Sequence, residues 1–393
     1  CKTHRYSRQE EKGESIMDKL KNVKWNHYLN YIVVAAVTVL FAILSLTGFI
    51  DSSDKYLLEK IAIAITLAVS LSMVVGFLGE LSLGHAGFLC IGAYLRGKTA
   101  VILEPMLGEW PTLFISIIVG GIVAAVFGMI IGLPALRLRG DYLAIVTLAF
   151  GEIVRSVFMN SSKESFGGSL GLDTPRFNKD ILFVVAFIMV LATLAVTQNL
   201  IHSKHGRAIT AIRDNEIAAR ATGIDVTKYK LLVFTVSSFF AGIAGVLYSY
   251  SNFTVQSTKF SYNYSIEILV MVVLGGMGNI NGAIIAATLI TFLDVELQTI
   301  LTGNLAVLQD LIYALILIVL VIYNNAPALK PFREKYNLKA FINKFKPHNP
   351  SKHKDDEAKW DRVPTKIKMD EILSVDFQAN SPYTPDKPEK EDK

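Results

Sequence analysis

The chain has 393 residues, 52% of them hydrophobic and only 19% charged. A soluble domain carries about 25% charged residues, so an ordinary soluble protein is excluded, and the apolar runs approach or exceed the roughly 18 residues of a membrane span. Two cysteines, Cys1 and Cys90, exclude a disulfide scaffold or a cysteine metal site, and the net charge of +5 is placed along the loops in a pattern that points to membrane topology and away from nucleic acid.

Residues 1–16, "CKTHRYSRQEEKGESI", are polar and lack the apolar core of a signal peptide. Met17 opens a more natural beginning, and 1–28 is expected to be a cytoplasmic segment. Ten hydrophobic segments follow, near 29–50, 57–78, 86–103, 111–133, 141–158, 181–200, 231–251, 263–278, 282–302 and 306–323. The expected fold class is an all-α polytopic membrane protein of about ten transmembrane or broken helices. With a cytoplasmic N-terminus, the inner connections and the start of the tail hold about 17 basic residues, among them Arg137, Arg139, Arg207, Arg213, Arg220, Lys228 and Lys230; the outer ones hold about 5. Both termini are then cytoplasmic. Membrane lipid is an obligatory neighbour.

The second and third segments are separated by "GFLGELSLGHAGF", residues 76–88, which sets Glu80, Ser82 and His85 among glycines. Broken helices expose backbone groups that are tolerated only inside a bundle or along a water-filled cavity, and Glu80 and His85 belong in the same setting. Gly79, Glu80, Ser82, Gly84 and His85 are therefore candidates for a pathway or gate. Close helix packing is the alternative role for the glycines. His85 has no second histidine at ligand spacing, so no metal is expected. Beyond them, Arg96 and Lys98 stand inside the third segment, where they either snorkel or shorten the span.

The fifth segment, in "RLRGDYLAIVTLAFGEIVRSV" at 137–157, carries Thr147, a candidate pathway hydroxyl, and Glu152 and Arg155. Eleven helical residues place Glu152 about 16 Å beyond Asp141, where a lone charge costs on the order of 3 kcal/mol or more. As i,i+3 neighbours Glu152 and Arg155 can neutralise each other, either as a structural pair or as a pathway lining.

The longest inner loop, "IHSKHGRAITAIRDNEIAARATGIDVTKYK" at 201–230, is too polar to span and too regular for a linker. Its alanines favour helix, Glu216 and Arg220 are spaced for an i,i+4 pair, and Gly223 is placed to end the helix in a left-handed conformation. Such a short helix either transmits motion to a cytosolic partner or lies on anionic lipid. A second glycine cluster, "LGGMGNINGAI" at 274–284, repeats the first in outline: Gly278-Asn279-Ile280-Asn281 echoes Gly79-Glu80-Leu81-Ser82. Paired glycine interruptions mark the translocation region of many transporters, which adds Gly275, Gly276 and Gly278 to the pathway or gate candidates. The tail, 326–393, is rich in Lys, Asp, Glu and Pro and is expected to be mostly disordered.

Four stretches, "GELSLGHAGFLCIGAY" at 79–94, "LRGDYLAIVTLAFGEIVR" at 138–155, the run from Gly206 to Tyr248, and "LGGMGNINGAIIAA" at 274–287, together resemble the LivM-type permease subunit of branched-chain amino acid ABC transporters. The resemblance covers roughly 50–325 in order and spacing. It implies a permease domain over 29–325 that passes leucine, isoleucine or valine inward across the bacterial cytoplasmic (inner) membrane. It also implies a second homologous permease, two ABC ATPase subunits and an extracytoplasmic amino-acid-binding protein. In such permeases the stretch matching 206–223 docks on the ATPase, so Gly206, Arg207, Arg213, Asp214, Glu216, Ala219 and Gly223 are the implied coupling residues. The chain has no G-x-x-x-x-G-K-[ST] phosphate loop. It is expected to be no enzyme itself and to need no cofactor, with ATP hydrolysed on other chains. Two rival readings are a urea or short-amide permease of the same superfamily and an ion-coupled carrier with Glu80, Glu152 and His85 as a proton relay.

Overall fold

The computed structural model describes residues 25–46, 51–138, 140–174, 179–301 and 309–325. The expectations for 1–24 and for most of the tail lie outside the described residues, as does the placement of Arg139.

Ten long or half-length helices fall on the ten predicted segments. They are α1 (Trp25–Leu46), α2 (Ser52–Ser72), α3 (His85–Leu107), α4 (Glu109–Ala135), α5 (Asp141–Met159), α7 (Lys179–His202), α10 (Val226–Ser251), α11 (Tyr262–Gly275), α12 (Ile280–Ile300) and α13 (Gln309–Asn325). Between them lie a one-turn α6 (Lys163–Phe166) and two short polar helices, α8 (Lys204–Asp214) and α9 (Glu216–Ala221). Seven of the described helices are long and apolar enough to cross a membrane, and α11 is a shorter apolar helix. The described residues have the fold of an all-α multi-pass membrane protein.

α2 is the centre of the bundle: every residue from 61 to 76 is buried, with α7, α10 and α12 packed around it. Asp51 starts it by accepting a hydrogen bond from the Ser52 amide at 2.7 Å. α10 packs against α3 and α4, and the three approach closely at Gly92, Gly120 and Gly242, where an added Cβ would run into the neighbouring helix. Such small-residue contacts replace the hydrophobic driving force that lipid removes.

Successive spans alternate in direction, which sorts the connections to two ends. At one end a two-residue strand pair, β1 (Leu172–Asp173) with β2 (Thr254–Val255), ties the 160–174 and 252–260 connections together. At the other end sit α8, α9 and both glycine clusters.

Arg96 neither snorkels nor ends its span. α3 continues through it to Leu107, and the buried guanidinium stacks 3.7 Å from the centre of the Tyr250 ring. Lys98 reaches the α6 loop, donating to the Glu164 carbonyl at 3.2 Å. The prediction missed these because both partners lie far away in sequence.

Candidate functional site

The site is built where α2 ends. The six residues that continue it, Met73–Leu78, form a π-helix, the wider turn that often marks functional positions in α-helices. Gly79 then turns left-handed at φ +78°. Two close approaches explain the glycines. A Cβ on Gly76 would sit 2.5 Å from the Gly278 amide nitrogen, and one on Gly79 would sit 2.6 Å from Cγ of Arg213. The two glycine clusters, about two hundred residues apart in sequence, are thus in direct contact, and an arginine from α8 lies against both. Arg213 donates from Nη1 to the Gly76 carbonyl at 3.2 Å, a group that the end of the helix leaves without an intrahelical partner. Gly275 ends α11, and Gly276 and Gly278 turn the chain with φ of +91° and +80° into α12.

A second tie runs through charges. The Lys230 ammonium, 2% exposed at the start of α10, donates to Glu80 and also to Glu216 at 3.2 Å. Glu216 in turn accepts from Arg220 at 2.9 Å. The chain Glu80–Lys230–Glu216–Arg220 alternates in sign and joins the first break to α10 and α9. Lys230 was counted from sequence as a loop charge; it is a buried ion-pair partner, and nothing local in "KYKLLVF" separates it from Lys228.

The remaining break residues satisfy the exposed backbone ahead of α3. Thr147 Oγ1 accepts from the Leu83 amide at 3.0 Å, and Ser265 Oγ accepts from Ala86 at 3.1 Å. Gly84 packs on the Thr147 backbone. His85 is 1% exposed, with Nε2 3.1 Å from Ser237 Oγ, and Ser237 donates to the Ser70 carbonyl. Ser82 is fully buried. Thr147 therefore stands as a capping hydroxyl in this packing rather than as a wall of open space.

The Glu152–Arg155 contact is a 2.7 Å ion pair with both side chains about a quarter exposed, so it lies at the side of the bundle and not in its interior. Glu152 has a further partner, the Tyr262 amide that opens α11, at 3.0 Å. The carboxylate thus caps one helix from another.

The stretch expected as one helix over 206–223 is two. Asn215 interrupts it with extended backbone (φ −157°), ending α8 and capping α9 by accepting from the Ile217 and Ala218 amides, each at 3.0 Å. Gly206 sits tight against the Ile201 backbone where the chain leaves α7. Gly223 is left-handed at φ +86°. Ile209, Ile212 and Ala219 are buried against the bundle, so Ala219 faces inward and is not on the exposed surface. That surface presents Arg207, Asp214, Arg220 and Ile217. Ile217 is 72% exposed. Sequence reasoning passed over Ile217, because isoleucine recurs along the loop at 201, 209, 212 and 224 and nothing local marks this one as the outward-facing member.

The described residues thus form an apolar helical bundle with two touching helix breaks, braced by α8 and α9. The chain matches the family model described as "Branched-chain amino acid transport system / permease component" over residues 55–322 and belongs to that family. It is 37% identical over 261 residues to the high-affinity branched-chain amino acid transport system permease protein LivM of Salmonella typhimurium and of Escherichia coli K12, covering 58% of this chain and 60% of each relative. It is 27% identical over 321 residues to the ribose import permease protein RbsC of Escherichia coli K12, covering 79% of this chain and 86% of that one. The match thus spans 60% of the length of the LivM relatives. No solved structure matches the chain.

Proposed function

We propose that this chain is a permease subunit of an ATP-driven importer in the bacterial cytoplasmic membrane, and that its cargo is a branched-chain amino acid. A second homologous permease completes the pathway, two ATPase subunits drive it, and an extracytoplasmic binding protein delivers the substrate. The observation that carries this reading is the two-sidedness of α8 and α9. One face holds the first helix break, through Arg213 on Gly76 and the Glu216–Lys230–Glu80 link, and Arg213 also lies against Gly278 of the second; the other exposes Ile217 and Arg220. Movement of a partner seated on the outer face is transferred through these ties to the end of α2, and through the Arg213 and Gly76 contacts with Gly278 to the turn after α11, which lets the breaks part and close. An ion-coupled carrier would need Glu80 free to take up a proton, whereas here its partner is an ammonium.

Ile217→Asp tests the coupling. The side chain is exposed, so the variant should insert and accumulate normally, while co-purification of the ATPase subunits and binding-protein-stimulated ATP hydrolysis in liposomes should fall by about tenfold, as for loss of an interface anchor. Normal co-purification and normal stimulation would remove the argument. Uptake of labelled leucine, competed by isoleucine and valine but not by urea or acetamide, is the expected substrate profile.

A further inference from the structure

A cavity of about 290 Å³ lies in the half of the bundle away from α8 and α9, enclosed by α2, α10, α11 and α12. Charged groups of both signs line it: Lys60 and Lys259, Glu267 and Asp294. The Lys60 ammonium hydrogen-bonds to Asn252 Oδ1 at 3.4 Å and stands 4.2 Å from the centre of the Tyr248 ring. Glu267 is held in place by the Tyr313 hydroxyl at 3.0 Å. Thr291, 8% exposed, also lines the cavity, and its Oγ1 has no hydrogen-bond partner among the described residues. The rest of the wall includes Ile63 and Met271.

Ionisable groups inside a membrane bundle are costly and mark substrate paths, and a buried hydroxyl with no partner lacks the bond that usually offsets its desolvation. Two cations and two carboxylates around one small volume leave no net charge, so a ligand with a net charge of either sign gains nothing from the cavity as a whole. A zwitterion gains at both ends. From this geometry we infer that the cavity binds a free zwitterionic amino acid with an apolar side chain, so that the permease carries a selective site of its own in addition to any on a delivery protein. The ligand carboxylate faces Lys60, its ammonium faces Glu267 and Asp294, Thr291 supplies a hydrogen bond, and the side chain lies on Ile63 and Met271. This inference rests on the amino-acid transport reading and adds a station within the permease.

The test is equilibrium binding of tritiated leucine to the full-length chain in nanodiscs, without binding protein or ATPase. Expected is saturable binding displaced by unlabelled leucine, with leucinamide, which lacks the carboxylate, and 4-methylpentanoate, which lacks the ammonium, each weaker by about tenfold or more. Lys60→Met should weaken leucine by a similar factor and leave leucinamide little changed, a pattern that misfolding cannot produce. Absence of saturable binding up to millimolar leucine, or equal displacement by all three compounds, would overturn the site. ATP-driven leucine uptake by the assembled transporter is measured in parallel. Uptake without binding to the permease sinks only the cavity site, and binding without ATP-driven uptake sinks only the importer reading.

Discussion

Replacing Lys230 with methionine keeps the apolar stem of the side chain and removes its terminal ammonium. The consequences differ for its two partners. Glu216 is 19% exposed and retains Arg220 at 2.9 Å, so it loses little. Glu80 is 12% exposed and loses the ammonium it is bonded to. Removing one member of a buried pair costs about 3–5 kcal/mol, and the partial exposure of Glu80 points to the lower end, about 3 kcal/mol. Glu80→Gln alone leaves Lys230 bonded to Glu216 and should cost about 1.5 kcal/mol, the value of one charged hydrogen bond. With Glu80→Gln and Lys230→Met combined, no stranded charge remains, and the loss should be about 2.5 kcal/mol. The resulting coupling is about 2 kcal/mol, well above the roughly 0.5 kcal/mol scatter of independent sites. Equilibrium unfolding of the purified chain in mixed micelles by added SDS measures all four corners of the cycle. Additive losses, or a Lys230→Met protein as stable as the parent, would refute the pairing. The double variant also separates folding from coupling: it should fold, retain its ATPase partners and transport slowly, because the link from α9 to the first break is gone.

Two further outcomes follow from the breaks themselves. Thr147→Val strands the Leu83 amide and should lower stability by about 1–3 kcal/mol, while Thr147→Ser, which keeps the acceptor, should stay within about 1 kcal/mol; the same unfolding assay reads both, and equal losses would deny the cap. Gly76→Val drives a side chain into the Gly278 backbone and should separate the two glycine clusters, read as loss of crosslinking between cysteines placed at Leu78 and Met277; undiminished crosslinking would show that Gly76 does not sit against Gly278.

The sequence by itself determined the class, because the signals for it are local. Apolar runs long enough for a bilayer located ten helices to within a few residues, glycines with buried polar residues located the breaks, and the helical spacing of Glu216 to Arg220 and Glu152 to Arg155 paired those charges. Each of these is a property of neighbours along one helix. What the tertiary structure alone decided is which breaks touch and what holds them. Gly76 meets Gly278, Arg213 reaches Gly76 across 137 residues, and Lys230 reaches Glu80 across 150. The same holds for the inward face of Ala219, the stacking of Arg96 on Tyr250, and the gathering of Lys60, Glu267 and Asp294 around one cavity. A charge in a sequence carries a sign and a position but no partner. In a bundle whose interior must neutralise its charges, the partner is supplied by the packing of helices distant in the chain.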